Sequence, residues 1–171
     1  MEIRFLTRED AVEWRRLRAE ALEQDPEAFS SSLEEHERLG LDEVKNRLGA
    51  TGDSFVAGAF EDGRLVGMAG FHREVGHKVR HKARIWGVYV TSSKRGKGVG
   101  RDLMRAVLER AARIESLDQI QLSVTETQTA ALKVYHSLGF ETFGREPRAL
   151  KIGDRLIDED YMILRLPTER R

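Results

Sequence analysis

Apolar residues recur along this chain in two rhythms, and their alternation lays out the elements. Ile3-Arg4-Phe5-Leu6 reads as a short strand. Thr7 then caps a helix over about 9–24, with Val12, Leu17, Ala21 and Leu22 near one face. Asp25-Pro26 ends it, and Phe29-Ser30-Ser31-Ser32 is a loop. Ser32 caps a second helical stretch, Leu33 to Leu48, broken at Gly40. Ser54 to Phe60 and Leu65 to Phe71 are strands, and Glu61-Asp62-Gly63-Arg64 between them carries the Asp-Gly hairpin signal. The polar run Arg73 to Lys82, with Gly76, His77 and His81, reads as a loop.

Ala83 to Thr91 is the most strand-like segment. Alternation points Ile85 and Tyr89 one way, with Gly87 between them, and Trp86, Val88 and Val90 the other. Apolar residues on both faces mark a strand covered on two sides. Leu103, Met104, Val107, Leu108 and Ala111 then form a helical stripe. Ile120 to Thr125 is a strand. Gln128 to Leu138 is a helix with Ala131, Val134, Tyr135 and Leu138 on one side, ended by a left-handed Gly139 with Phe140 packing back. Phe140 to Glu146 and Leu156 to Leu166 close the chain around a turn near Gly153-Asp154. The order is β, α, α, β, β, β, α, β, α, β, β. Its central strand–helix–strand unit should be parallel and right-handed. The expected fold class is α/β, a mixed sheet with helices on both faces, forming one domain over 1–166 with a frayed tail over 167–171.

Composition narrows the chemistry. A length of 171 residues suffices for one ordinary core. Lys plus Arg and Asp plus Glu each total 29, so no global field draws the protein onto nucleic acid or an anionic membrane. With Cys at 0, disulfides, thiolate metal sites and a cysteine nucleophile are excluded. Met1-Glu2-Ile3-Arg4-Phe5 lacks the features of a signal peptide, and no apolar run approaches a membrane span. The expectation is a cytoplasmic protein with no metal. Met162, Ile163, Leu164 and Leu166 in the last strand leave open whether they are core or a homodimer interface.

Arg95-Gly96-Lys97-Gly98-Val99-Gly100 lies between the doubly covered strand and an amphipathic helix. Glycines let backbone N–H groups approach a ligand, and the helix start adds unpaired donors and partial positive charge. Lys94, Arg95, Lys97 and Arg101 add full charges, so the segment suits a phosphate or pyrophosphate. The alternative is a glycine-rich turn with solvated lysines. The run lacks the Gly-Lys-Ser/Thr ending of nucleotide hydrolases. It also fails the dinucleotide fingerprint, because Gly96 and Gly98 are followed by Arg101.

The pattern present, Arg-x-x-Gly-x-Gly from Arg95 to Gly100 after a buried strand, resembles the acetyl-CoA motif of the GNAT superfamily of N-acetyltransferases. Gly87-Val88-Tyr89-Val90 is similar to that family's fourth strand. Leu122-x-Val124-x-x-x-Gln128-x-x-Ala131-x-x-x-Tyr135-x-x-x-Gly139-Phe140 is similar to its fifth strand and fourth helix. The family usually carries Asn where this chain has Gln128. The resemblance implies a six- to seven-stranded, mostly antiparallel mixed sheet with splayed central parallel strands and about four helices. It implies acetyl-CoA as co-substrate, with pyrophosphate on the backbone from Arg95 to Gly100, through Gly96, Lys97, Gly98 and Val99, and with Arg101 also binding the cofactor. The pantetheine arm would pair with the strand at Val88, Tyr89 and Val90, and Gln128, Ala131 and Tyr135 would face it from the helix. A main-chain N–H of Val88 or Val90 would stabilise the reacting carbonyl oxygen, and Tyr135 would protonate the departing thiolate. By periodicity alone Tyr135 is a core residue.

The acceptor is less legible. Glu34, Glu35 and His72 are candidates for the general base, with water as an alternative and His136 a weaker choice. Glu27, Glu34, Glu35 and Glu37 would favour a cationic amine, and Arg145, Arg148 and Lys151 a carboxylate, though both clusters also read as ordinary surface charge. The main expectation is transfer to a primary amine of a small molecule, such as an amino acid or polyamine. Transfer to a protein or peptide N-terminus and a non-catalytic acyl-CoA-binding module are the alternatives.

Overall fold

The computed structural model describes residues 1–49 and 52–167. The strands are β1 (Glu2–Phe5), β2 (Ser54–Glu61), β3 (Arg64–Arg73), β4 (Lys82–Val90), β5 (Gln119–Thr125), β6 (Glu141–Ile152) and β7 (Arg155–Arg165). The helices are α1 (Ala11–Gln24), α2 (Leu33–Glu37), α3 (Leu41–Leu48), α4 (Val99–Ala111) and α5 (Thr129–Ser137). One seven-stranded sheet runs in the order β1-β2-β3-β4-β5-β7-β6. Among the described residues only the β4–β5 pair is parallel; every other neighbour is antiparallel. The mixed sheet with splayed central strands is therefore present, with all seven strands. No helix among the described residues is long and apolar enough to cross a membrane.

Each sheet face has its own core. On one, Trp14, Leu17 and Ala21 of α1 and Val44 of α3 pack on Val56, Leu65 and Met68. On the other, Leu103, Met104 and Val107 of α4 and Tyr135 of α5 pack on Ala57, Phe71 and Ile120. Leu17 and Leu103 are wholly inaccessible. Each such side chain contributes about 1.5–3 kcal/mol of burial, more than any surface ion pair here, so these stripes anchor α1 and α4.

The Asp-Gly turn forms as its chemistry requires, with φ of 50° at Asp62 and 77° at Gly63. The second helical stretch breaks at Gly40 into α2 and α3. Four local expectations need correction. Thr7 starts a three-residue 3-10 turn, Arg8–Asp10, and its N–H donates to the Asp10 carboxylate at 2.8 Å; α1 begins only at Ala11. Val12 is exposed, because the buried stripe starts at Ala11 and the next residue lies about 100° around the helix. Ile85 and Tyr89 face opposite cores: Gly87 and Val88 together stand opposite Ala69, and this bulge inverts the alternation after Gly87. The closing strands reach farther, to Ile152 and from Arg155, because β6 and β7 pair through two irregularities. Met162 and Ile163 are buried, and Leu164 and Leu166 are half-buried, packed against the core that holds Met162. Of the tail expected over 167–171, residues 168–171 lie outside the described residues.

Candidate active site

The sheet opens where its two parallel strands meet. Register pairs between β4 and β5 are confined to Lys82–Arg84 with Gln119–Gln121. Beyond Arg84 the strands diverge, and β4 faces a cleft at Val88, Tyr89 and Val90. That cleft, of about 390 Å³, lies between β4, the glycine run, α4 and α5. The size is within the usual range for small-molecule sites.

The glycine run forms one end. Gly96 and Gly98 have φ of 74° and 83°, a region that favours glycine strongly. Gly98 is the N-cap of α4, and the first helical bond is Asp102 N–H to the Gly98 carbonyl at 3.0 Å. The N–H groups of Val99, Gly100 and Arg101 thus have no partner within the helix, and these residues line the cleft. Here local sequence, backbone conformation and an anion-binding surface are one feature.

A strap roofs the cleft. It comprises Asp25, the 3-10 turn Pro26–Ala28, and Phe29. On the β4 side, Arg95 donates to the Asp25 carboxylate at 2.5 Å and to the Val90 carbonyl at 2.8 Å. On the β5 side, the buried Thr125 hydroxyl donates to the Glu27 carbonyl at 2.9 Å, and the Glu27 carboxylate pairs with Arg155. The strap therefore spans the split in the sheet.

Tyr135 projects from α5 into the cleft wall, its ring 6.2 Å from that of Phe140. Gly139 (φ 92°) ends the helix, and the Phe140 N–H returns to the Tyr135 carbonyl at 3.1 Å. Burial pushes the Tyr135 phenol up, so it holds its proton throughout the neutral range. Gln128, at the N-cap of α5, and Ala131 line the same wall.

Val88, Tyr89, Val90, Arg95, Gly96, Gly98, Val99, Gly100, Arg101, Gln128, Ala131 and Tyr135 all meet at this cleft. Lys97 is exposed and does not line it. The three base candidates also lie outside the lining. Glu34 is exposed and pairs with Arg38 at 2.5 Å, and Glu35 closes the Ser32 cap by accepting its N–H at 2.8 Å. His72 sits opposite Ser54 and Arg84 in the sheet, and burial holds its imidazole below the ordinary value. His136 is exposed, with Nδ1 3.1 Å from the Phe140 carbonyl. Arg145 is held by both Asp160 oxygens, at 2.6 and 3.0 Å, so its charge is already answered. Sequence reasoning missed Asp25, Ala28 and Phe29 as lining; only the helix-ending Asp25-Pro26 hinted at a turn there. Among the described residues, no group of three or more His, Asp or Glu side chains could hold a metal.

Residues 13–140 match the family model for the acetyltransferase (GNAT) family. The chain is 34% identical over 83 residues to an L-methionine sulfoximine/L-methionine sulfone acetyltransferase of Pseudomonas aeruginosa, a match covering 48% of each protein. It is 31% identical over 107 residues to the N-alpha-acetyltransferase RimI of Mycobacterium tuberculosis, covering 63% of this chain and 65% of that one. These matches span about half to two thirds of the relatives' lengths. In fold, the chain superposes on a Streptococcus pneumoniae acetyltransferase of the GNAT family with a TM-score of 0.87 at 23% identity, covering 97% of this chain and 99% of that one. It superposes on Salmonella typhimurium yncA, solved with its cofactor acetyl-CoA, with a TM-score of 0.80 at 23% identity, covering 100% and 96%.

Proposed function

This chain belongs to the GNAT acetyltransferase family, and from that premise we propose that it transfers an acetyl group from acetyl-CoA directly to a primary amine of a small molecule. One observation carries the reading: the glycine cradle, the free β4 edge and Tyr135 line a single cleft. The cradle presents backbone donors where a pyrophosphate would lie, and the β4 edge can pair with an extended amide-containing arm. The residues present therefore fit acetyl-CoA, which supplies an acetyl thioester activated for attack.

The chain's own groups divide the work. Gly96 to Arg101 hold the phosphates through main-chain N–H groups. Val88 and Val90 align the arm, and a main-chain N–H there faces the carbonyl oxygen as it gains charge. The amine nitrogen bonds to the carbonyl carbon and the carbon–sulfur bond breaks. Tyr135 donates to the departing sulfur. A phenol with its ordinary pKa of roughly 10 already exceeds a thiol at roughly 8.5. Burial widens that gap, so Tyr135 acts through a hydrogen bond to the thiolate more than by full proton transfer. Asp25 is the one carboxylate lining the cleft among the described residues, and Arg95 holds it. Removal of the ammonium proton is therefore assigned to water.

The strap favours a small acceptor over a peptide, because it is tied down on both sides of the cleft. The proposed setting is the cytoplasm. Release of free thiol from acetyl-CoA with a panel of amines tests the activity. Tight acetyl-CoA binding with no release from any amine would favour the binding module instead. Tyr135→Phe should lower kcat by roughly ten- to a hundredfold, within the usual range for proton-donating groups. Acetyl-CoA affinity should hardly change. Unchanged turnover would remove Tyr135 from the chemistry.

A further inference from the structure

Among the described residues two buried side-chain hydrogen-bond donors remain unused, and they share one helix face. Trp14 Nε1 and Arg18 Nη1 are both inaccessible and without partners among the described residues. They lie four residues apart on α1, turned inward to the sheet. Arg18 is only 9% exposed. Buried polar groups are paired as a rule, and an unpaired guanidinium is the costliest kind of exception.

Arg18 lies directly behind the cleft lining, and Trp14 is farther along the same helix face. The Arg18 guanidinium carbon lies 4.5 Å from the centre of the Phe29 ring, and Phe29 belongs to the strap lining the cleft. On the β4 side, Arg18 Nη1 is 3.5 Å from where a Cβ on Gly87 would stand. Gly87 is the bulge residue (φ 63°), directly before the Val88 that lines the cleft. A Cβ at residue 87 would meet Arg18 at ordinary contact distance. The ring covers the face of the guanidinium, which leaves its N–H edge for hydrogen bonds. A planar N–H edge matches a carboxylate by paired hydrogen bonds.

Resting on the proposal that this cleft acetylates amines, the geometry points to an acceptor that carries a carboxylate beside its amine, received by Arg18. The acceptor class is thus an amino acid or a close analogue. Arg145 cannot serve, because Asp160 occupies it. Arg18 here is a specificity residue.

The test uses the full chain with Arg18→Gln and Arg18→Met, in two arms. In the turnover arm, each of several amino acids is compared with its decarboxylated amine: phenylalanine with phenethylamine, lysine with cadaverine. The wild type should favour the amino acid at least tenfold in kcat/KM. Both variants should bring that ratio near one through a higher acceptor KM, with the acetyl-CoA KM unchanged. The binding arm needs no turnover. N-acetyl amino acids should raise the melting temperature of the wild type and not of the variants, while N-acetylated amines should raise neither. Equal use of both amines by the wild type, a preference retained by the variants, or a rise in acetyl-CoA KM would overturn the assignment. If no amine of any kind releases thiol, the acetyltransferase reading itself fails, and the binding arm alone decides the role of Arg18.

Discussion

Replacing Arg18 by methionine should make the ligand-free protein more stable. The side chain is buried, unpartnered at Nη1, and burial lowers its guanidinium from the ordinary value to about 10. A displacement of that size corresponds to about 3 kcal/mol against the charged form. Methionine removes the charge and keeps an unbranched apolar stem of similar reach. The loss is the contact with the Phe29 ring, about 1 kcal/mol for such a cation–π pair. The net gain is about 2 kcal/mol, or roughly 4–8 °C in melting temperature for a domain of this size. The gain should depend on pH in a definite sense. The folded state releases the Arg18 proton at lower pH than the unfolded state does. The wild type therefore recovers stability as pH rises above about 10, and the gap to Arg18→Met narrows there. Urea denaturation of both proteins at pH 7, repeated at high pH, measures this. If Arg18→Met unfolds more easily than the wild type at pH 7, the guanidinium is a structural anchor. The carboxylate assignment then loses its physical premise.

Gly98→Ala places a side chain at φ 83°, where a non-glycine residue costs about 1–2 kcal/mol. A Cβ there meets nothing within 4 Å, so the protein should still fold. Calorimetry should show acetyl-CoA binding weakened about tenfold, and unchanged affinity would argue against the cradle. Asp10→Asn breaks the double hydrogen bond from Arg4, at 2.7 and 2.8 Å, and should cost about 1–2 kcal/mol at pH 7. Hydrogen bonding from Arg4 holds the Asp10 carboxyl below its ordinary value, so that stability is present above about pH 4 and lost as pH falls through the folded pKa. The two proteins should converge in acid denaturation.

Local chemistry made most of this fold readable in advance. The stripe from Leu103 to Ala111, the Asp62-Gly63 turn and the left-handed Gly139 each follow from a few neighbouring residues. The glycine cradle was readable for the same reason: the residues from Arg95 to Gly100 are contiguous and build their own surface. The acceptor end was not. Phe29, Arg18 and Gly87 come from three segments, and their meeting depends on how α1 packs across β4. Gly87 shows the limit within one element. A period of two predicts one face for Ile85 and Tyr89, but a single extra residue reverses it, and nothing in the apolar pattern marks where that residue falls. Arg18 looks like any helical arginine in sequence. Only the absence of a partner in three dimensions sets it apart.

The split between β4 and β5 also bears on how long the protein lasts. Three register pairs join the parallel strands at the heart of the sheet. A molecule wedged into the opening ties the two blocks together, and its binding energy becomes cohesion: at a hundred times its Kd it adds about 2.7 kcal/mol. Resistance to proteases then rises and falls with the supply of that molecule. Under the proposed function that molecule is acetyl-CoA, which would then splice the sheet as well as supply the acetyl group.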